Sequence, residues 1–95
     1  MSERKRMDSD QIDENLKVVL GWRVEDGKLT KDFEFKTYSD GVIFAVAVAH
    51  KANQMDHHPD ITIGYQKVKI AVNTHDVGGI SHLDFELARV VDSLT

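Results

Sequence analysis

Residues 37–55, TYSDGVIFAVAVAHKANQM, contain the longest apolar run in the chain, and the choice between strand and helix here decides the fold. Residues 42–49, VIFAVAVA, are rich in β-branched side chains, which suits a buried strand. Periodicity cannot separate that reading from a buried helix. Length can: the pattern continues through HKANQM to about 18 residues, well past a typical strand. Thr37-Tyr38-Ser39-Asp40 in front of it fits a capping box, with Thr37 as N-cap and Asp40 three residues on. The segment is therefore read as a helix. A helix that is apolar all round must be covered on more than one side. A 95-residue domain covers one side well, so the reading implies a partner subunit on another.

Working outward, residues 9–20 place Ile12, Leu16, Val19 and Leu20 on one helical stripe, with Ser9 as N-cap and Gly21 as a C-terminal stop. Trp22 and Val24 then alternate with polar residues, as do Leu29, Phe33 and Phe35 around Lys31, and Asp26-Gly27 between the two runs is a two-residue hairpin signal. Beyond the helix of 38–55, residues 61–63 and 65–74 read as two more strands broken at Gly64. In the second, Val68, Ile70 and Val72 share one face. Lys67, Lys69, Ala71, Asn73 and His75 share the other, so His75 projects from the polar face or closes the strand. Gly78-Gly79 makes a turn, and Ser81-His82-Leu83-Asp84 is a second capping box. It opens a last helix with Leu83, Leu87, Val90, Val91 and Leu94 on one stripe. The order α-β-β-α-β-β-α predicts an α+β fold, a four-stranded antiparallel sheet with three helices packed on one face. Residues 1–95 form one domain on this reading, with about 1–8 a flexible tail.

Composition narrows the function classes. Without cysteine, disulfides, thiolate nucleophiles and Cys-based zinc sites are excluded together. The net charge of −4 disfavours phosphate-based binding of nucleic acid, and the one basic cluster, Arg4-Lys5-Arg6, sits in the tail. No run approaches the length of a membrane span. The N-terminal MSERKRMDSD is charged where a signal peptide needs an apolar stretch, so the expected compartment is the cytoplasm.

The chemistry-bearing residues are histidines: His50, His57, His58, His75 and His82. Their unperturbed pKa lies near neutrality, so they can give or take a proton at working pH. His50 and His82 fall on predicted helices or caps and read as surface residues. His57 and His58 stand directly before Pro59, the only proline, which biases His58 towards an extended backbone. A zinc or iron set from three histidines and Asp84 is one alternative, but adjacent histidines chelate one ion poorly and no HxH or HxxxH spacing exists. No activated serine context is present, and Gly78-Gly79 lacks the lysine and glycine spacing of a phosphate loop. Acid–base chemistry on a small molecule remains.

The joint pattern AxxxxHHP (Ala52 to Pro59), Tyr65, Val68 and then Thr74-His75-xx-Gly78-Gly79-x-Ser81-xx-Asp84 resembles the pterin-4a-carbinolamine dehydratase family. The resemblance covers nearly the whole chain, including Trp22 and Phe33-x-Phe35. It implies three helices on a four-stranded antiparallel sheet, and dimers joined edge to edge that commonly assemble into tetramers. The activity implied is loss of water from 4a-hydroxytetrahydropterin, left when an aromatic amino-acid hydroxylase has used its pterin. The product is quinonoid dihydropterin, and no metal or organic cofactor is implied. By resemblance His57, His58 and His75 line the pterin site, with His57 and His75 as the acid–base pair and His58 binding and orienting substrate. Exchanging these roles contradicts nothing in the sequence. Pro59 and Thr74 belong to the binding wall. Asp84 matches a position near the site, from which a carboxylate could orient His75 and fix its tautomer. Its other reading, as a member of the last helix's capping box, is compatible with that.

Two positions depart from the family pattern: many relatives carry glutamate where Asn53 stands, and some carry tryptophan at Ile61. These changes bear on substrate affinity and on the preferred pterin. The runner-up function is a dimerisation or binding module that acts on a partner protein without catalysis, for which the apolar helix of 38–55 would be the contact surface.

Overall fold

The computed structural model describes residues 5–95. The elements are α1 (Ser9–Leu16), β1 (Arg23–Glu25), β2 (Lys28–Glu34), α2 (Tyr38–Met55), β3 (Asp60–Ile63), β4 (Lys67–Val72), a 3-10 turn (His75–Val77) and α3 (His82–Asp92). The strands form one antiparallel sheet in the order β1-β2-β4-β3. The fold is α+β, with the expected element order. Among the described residues, no helix is long and apolar enough to cross a membrane.

Local chemistry accounts for most boundaries. Asp26 and Gly27 both have positive φ, 53° and 76°, as a type I′ turn requires, and Glu25 pairs with Lys28 across it. Thr37 Oγ1 accepts the Asp40 N–H at 3.1 Å and starts α2. One face of α2 packs through Gly41, Phe44, Ala45, Val48 and Ala52. A Cβ on Gly41 would lie 3.3 Å from Val68 Cγ2, so glycine allows the first turn of the helix close to β4. Between the layers, Leu29, Val48, Val68, Ile70, Phe85, Leu87 and Val91 are almost wholly buried. Phe44 stacks at a tilt on Phe33 and Phe35, at 4.8 and 5.1 Å between ring centroids. The outer stripe of α2 stays open in the single chain: Ile43 is 66% and Val46 51% exposed.

The structure departs from the sequence reading in three places. First, α1 is capped by Asp8 rather than Ser9, through a reciprocal box with Gln11. It ends at Leu16 rather than Leu20. Backbone bonds of the i→i−3 kind tighten the chain from Lys17 to Val19, and Gly21 follows at φ 88°. That turn sends Val19 into the core and leaves Leu20 exposed, off the stripe expected for it. Second, β4 starts at Lys67, not Tyr65. Gly64 N–H donates to Lys67 O at 2.7 Å, so Tyr65 and Gln66 occupy the hairpin turn and Tyr65 faces solvent. Third, β4 ends at Val72, and His75 opens the 3-10 turn instead of closing a strand. Of the expected tail, residues 1–4 lie outside the described residues. Met7 N–H donates to Ile80 O at 2.8 Å and Asp8 caps α1, so residues 7 and 8 are bonded into the fold.

Candidate active site

His57 is placed by the way α2 stops. Asp56 takes the left-handed conformation at φ 52°, one that aspartate tolerates better than most residues. Asp56 N–H donates to Asn53 O at 3.2 Å and His57 N–H to Ala52 O at 3.1 Å. These are the two bonds of a Schellman motif, which turn the chain back over the helix end. Pro59 two residues on cannot continue the helix, and β3 begins at Asp60.

The opposing half of the site comes from the link between β4 and α3. Thr74 N–H donates to Gly79 O at 2.8 Å, closing a loop that carries the 3-10 turn, with Gly78 left-handed at φ 68°. The loop returns the chain so that Ser81 and Asp84 lie beside Thr74. Asp84 fills the third position of α3 and accepts the Ser81 N–H through Oδ2 at 2.9 Å, the reciprocal half of the capping box.

The two halves meet at the Asp84 carboxylate, which is wholly buried. Oδ2 also accepts the Thr74 hydroxyl at 3.0 Å, and Oδ1 lies 2.5 Å from His57 Nε2. An ionised carboxylate only accepts, so the ring donates from Nε2 and keeps its lone pair on Nδ1; this tautomer is assigned from the network. Removing one of the groups around a buried charge is costly, which makes the array rigid. His57 itself is only 7% exposed.

The other candidates fall into place around this pair. His58 is exposed, and its Nε2 lies 3.0 Å from Asn53 Oδ1 on the last turn of α2. His75 is exposed on the turn that immediately follows Thr74, and Pro59 is half-buried between the histidines and β3. Asp84 engages His57 and not His75, contrary to the role expected for it. The reason is the loop: the 3-10 turn carries His75 outward, while the Schellman reversal drives His57 inward. Thr74 and Asp84, expected to touch substrate, have fully buried side chains that face one another behind His57. His50 is exposed and His82 partly so, on α2 and α3 as the sequence reading placed them. Among the described residues, no group of three His, Asp or Glu side chains has the disposition of a metal site. Sequence reasoning assigned Ser81 only a capping role, yet its Oγ lies 2.6 Å from Thr74 Oγ1. Asn53, noted only as a departure, is the partner of His58.

A concavity of about 620 Å³ lies elsewhere, on the open face of the sheet, lined by Phe35, Tyr65, Lys67 and Lys69 among others. That face is ion-paired: Arg23 meets Glu25 and Asp32 at 2.9 and 3.1 Å, and Lys69 meets Glu25 at 3.2 Å. The Lys69 ammonium, and then Arg23, hold the Glu25 carboxyl below its usual range. Lys69 is thus engaged in a surface ion-pair network away from the histidines.

The fold and site define a class: a small α+β domain in which a buried aspartate at a helix start holds a histidine at another helix's end, with two exposed histidines alongside. The chain belongs to the pterin 4 alpha carbinolamine dehydratase family, whose sequence profile matches residues 5–94. It is 38% identical to a Metallosphaera sedula protein named "Putative pterin-4-alpha-carbinolamine dehydratase", over 94% of this chain and 93% of that one. A Nostoc punctiforme protein of the same name is 39% identical, over 88% and 90% of the two chains. Among solved structures, a transcriptional coactivator/pterin dehydratase from Brucella melitensis superposes with a TM-score of 0.88 at 30% identity, covering 95% of this chain and 98% of that one. A pterin dehydratase-like protein described as a RuBisCO assembly factor in the alpha-carboxysome gives a TM-score of 0.66 at 27% identity, with 78% and 88% covered.

Proposed function

We propose that this chain dehydrates a 4a-hydroxytetrahydropterin to the quinonoid dihydropterin by histidine acid–base catalysis. The carrying observation is the His57–Asp84 pair, a histidine with one nitrogen committed to a buried carboxylate and the other left bare. In the reaction the C4a–O bond breaks as the hydroxyl takes a proton and leaves as water. N5 loses its proton, and that electron pair forms the N5=C4a bond. Atoms and electrons balance without an oxidant, a reductant or a metal. The step needs an acid at the hydroxyl and a base at N5, two tasks suited to groups that titrate near neutrality.

In this reading His57 and His75 form the acid–base pair, and His58, steadied by Asn53, binds and orients the pterin beside Pro59. Asp84 and Thr74 act through His57 rather than on substrate, because their side chains are buried behind it. With His58 and His75 exposed, one chain supplies one wall of the site in this reading. A homodimer or homotetramer, assembled through the open Ile43 and Val46 stripe of α2 or the free edge of β3, belongs to the same reading. An aromatic amino-acid hydroxylase is the kind of enzyme that would supply the substrate.

The test is to generate the carbinolamine in situ and follow its dehydration spectroscopically with and without the protein. A folded chain that leaves the spontaneous rate unchanged defeats the proposal. The second reading is a module that binds a partner protein without catalysis. It draws on the names of the two structural neighbours, a coactivator and an assembly factor, together with the exposed α2 stripe. A His75→Ala variant separates the two, because loss of cellular function with assembly intact favours catalysis.

A further inference from the structure

The buried polar array extends one residue beyond the groups that the proposed chemistry uses. Ser81 is wholly buried, and its Oγ accepts the Leu83 N–H at 3.2 Å while lying 2.6 Å from Thr74 Oγ1. Thr74 donates its only proton to Asp84 Oδ2 at 3.0 Å. The 2.6 Å contact therefore has one consistent direction: Ser81 Oγ donates and Thr74 Oγ1 accepts. The helix-capping role of Ser81 uses its oxygen as an acceptor only. The hydroxyl proton has no part in the cap, and its target is the group that holds Asp84.

We infer that Ser81 is a positioning residue for His57: its proton commits the Thr74 hydroxyl to Asp84 Oδ2, and so fixes the carboxylate with Oδ1 on His57 Nε2. Without that proton the Thr74 hydroxyl is free to rotate, and Oδ2 keeps only the Ser81 backbone donor. The carboxylate then swings more freely and the His57 tautomer is less firmly set. The same two hydroxyls close the base of the 75–79 loop across the Thr74–Gly79 bridge, so they also register the turn that bears His75. The effect of Ser81 on rate rests on the dehydratase reading; its effect on the His57 ring does not.

The experiment compares the full chain with Ser81→Gly, which removes the hydroxyl at a position where glycine is a tolerated N-cap, and with Ser81→Thr, which keeps both cap oxygen and donor. Long-range 1H–15N spectra of the His57 ring in mildly alkaline buffer read the tautomer directly. The full chain should show Nε2 protonated and Nδ1 bare. Ser81→Gly should show a mixture, and Ser81→Thr should recover the original pattern. In the carbinolamine assay Ser81→Gly should lower kcat about 3- to 10-fold, the worth of one net hydrogen bond, with KM little changed. If Ser81→Gly does not fold, Thr74→Val removes the next hydroxyl in the array and should give the same mixture. An unaltered ring pattern in whichever variant folds overturns the inference. If the unmodified chain proves inactive, the ring spectra still decide for or against Ser81, so the two readings fail separately.

Discussion

His57 at the end of one helix and Asp84 at the start of another are joined by a buried 2.5 Å contact between Nε2 and Oδ1. The two residues lie 27 positions apart, and each is placed by the reversal of its own segment. His57 depends on the left-handed Asp56, and Asp84 on the loop closed between Thr74 and Gly79. The site therefore inherits its geometry from two chain reversals, and substitutions test each part of it.

Asp84→Asn keeps the size of the side chain and an oxygen for the Ser81 N–H and the Thr74 hydroxyl. It turns an NH2 donor towards His57 Nε2, which must then accept. The ring should switch to the Nδ1–H tautomer, visible in its 15N shifts, and kcat should fall about 10²-fold, as expected when a general acid–base group is misaligned. Loss of a charge-assisted buried bond should lower stability by about 1.5–3 kcal/mol in urea titration.

Asn53→Ala leaves His58 without its partner on α2. This bond is exposed, so about 0.5–1 kcal/mol is at stake. If His58 orients substrate, the change should raise KM by about two- to fivefold and leave kcat nearly unaltered in steady-state kinetics. A drop in kcat at constant KM would instead give His58 a part in proton transfer.

Asp92 ties the end of α3 to the sheet, accepting from Trp22 Nε1 at 3.0 Å and from Lys31 Nζ at 2.9 Å. Lys31 Nζ also donates to Leu20 O and lies over the Phe33 ring at 4.9 Å. Asp92→Ala should cost about 1–2 kcal/mol in urea, discounted because both charged groups are partly exposed. The kinetics of the folded variant should match those of the parent, since Asp92 lies outside the histidine site.

Ile43→Glu and Val46→Glu place charges on the open stripe of α2. If that stripe joins subunits, each variant should shift light scattering to a smaller species with the thermal midpoint of the monomer unchanged, because neither residue packs into the core. An unaltered mass would move the interface elsewhere.

The nature of α2 was legible because its length excluded a strand, and the first hairpin because Asp26-Gly27 names its own turn. The end of α1 was not: Val19 and Leu20 continue the helical stripe on paper, but the chain tightens into i→i−3 bonds from Lys17 and turns at Gly21, so Val19 enters the core and Leu20 does not. Nor was the start of β4, where Tyr65 has strand propensity but Gly64 closes the hairpin on Lys67. At the site, the histidines and Asp84 stood out through the resemblance of their joint pattern to a known family. Which histidine faces the carboxylate was hidden, because it depends on two reversals, one inward and one outward, that no periodicity encodes. Ser81 was hidden behind a role it also fills, that of the cap.

The most direct test of histidine-driven dehydration is the rate of carbinolamine dehydration by the parent chain and by His57→Ala, measured side by side after both are shown to be folded. Clear acceleration by the parent is expected, with a loss of about 10²- to 10⁴-fold in the variant, the range that general acid–base groups supply. A folded parent no faster than the spontaneous reaction, or a variant as fast as the parent, would contradict it.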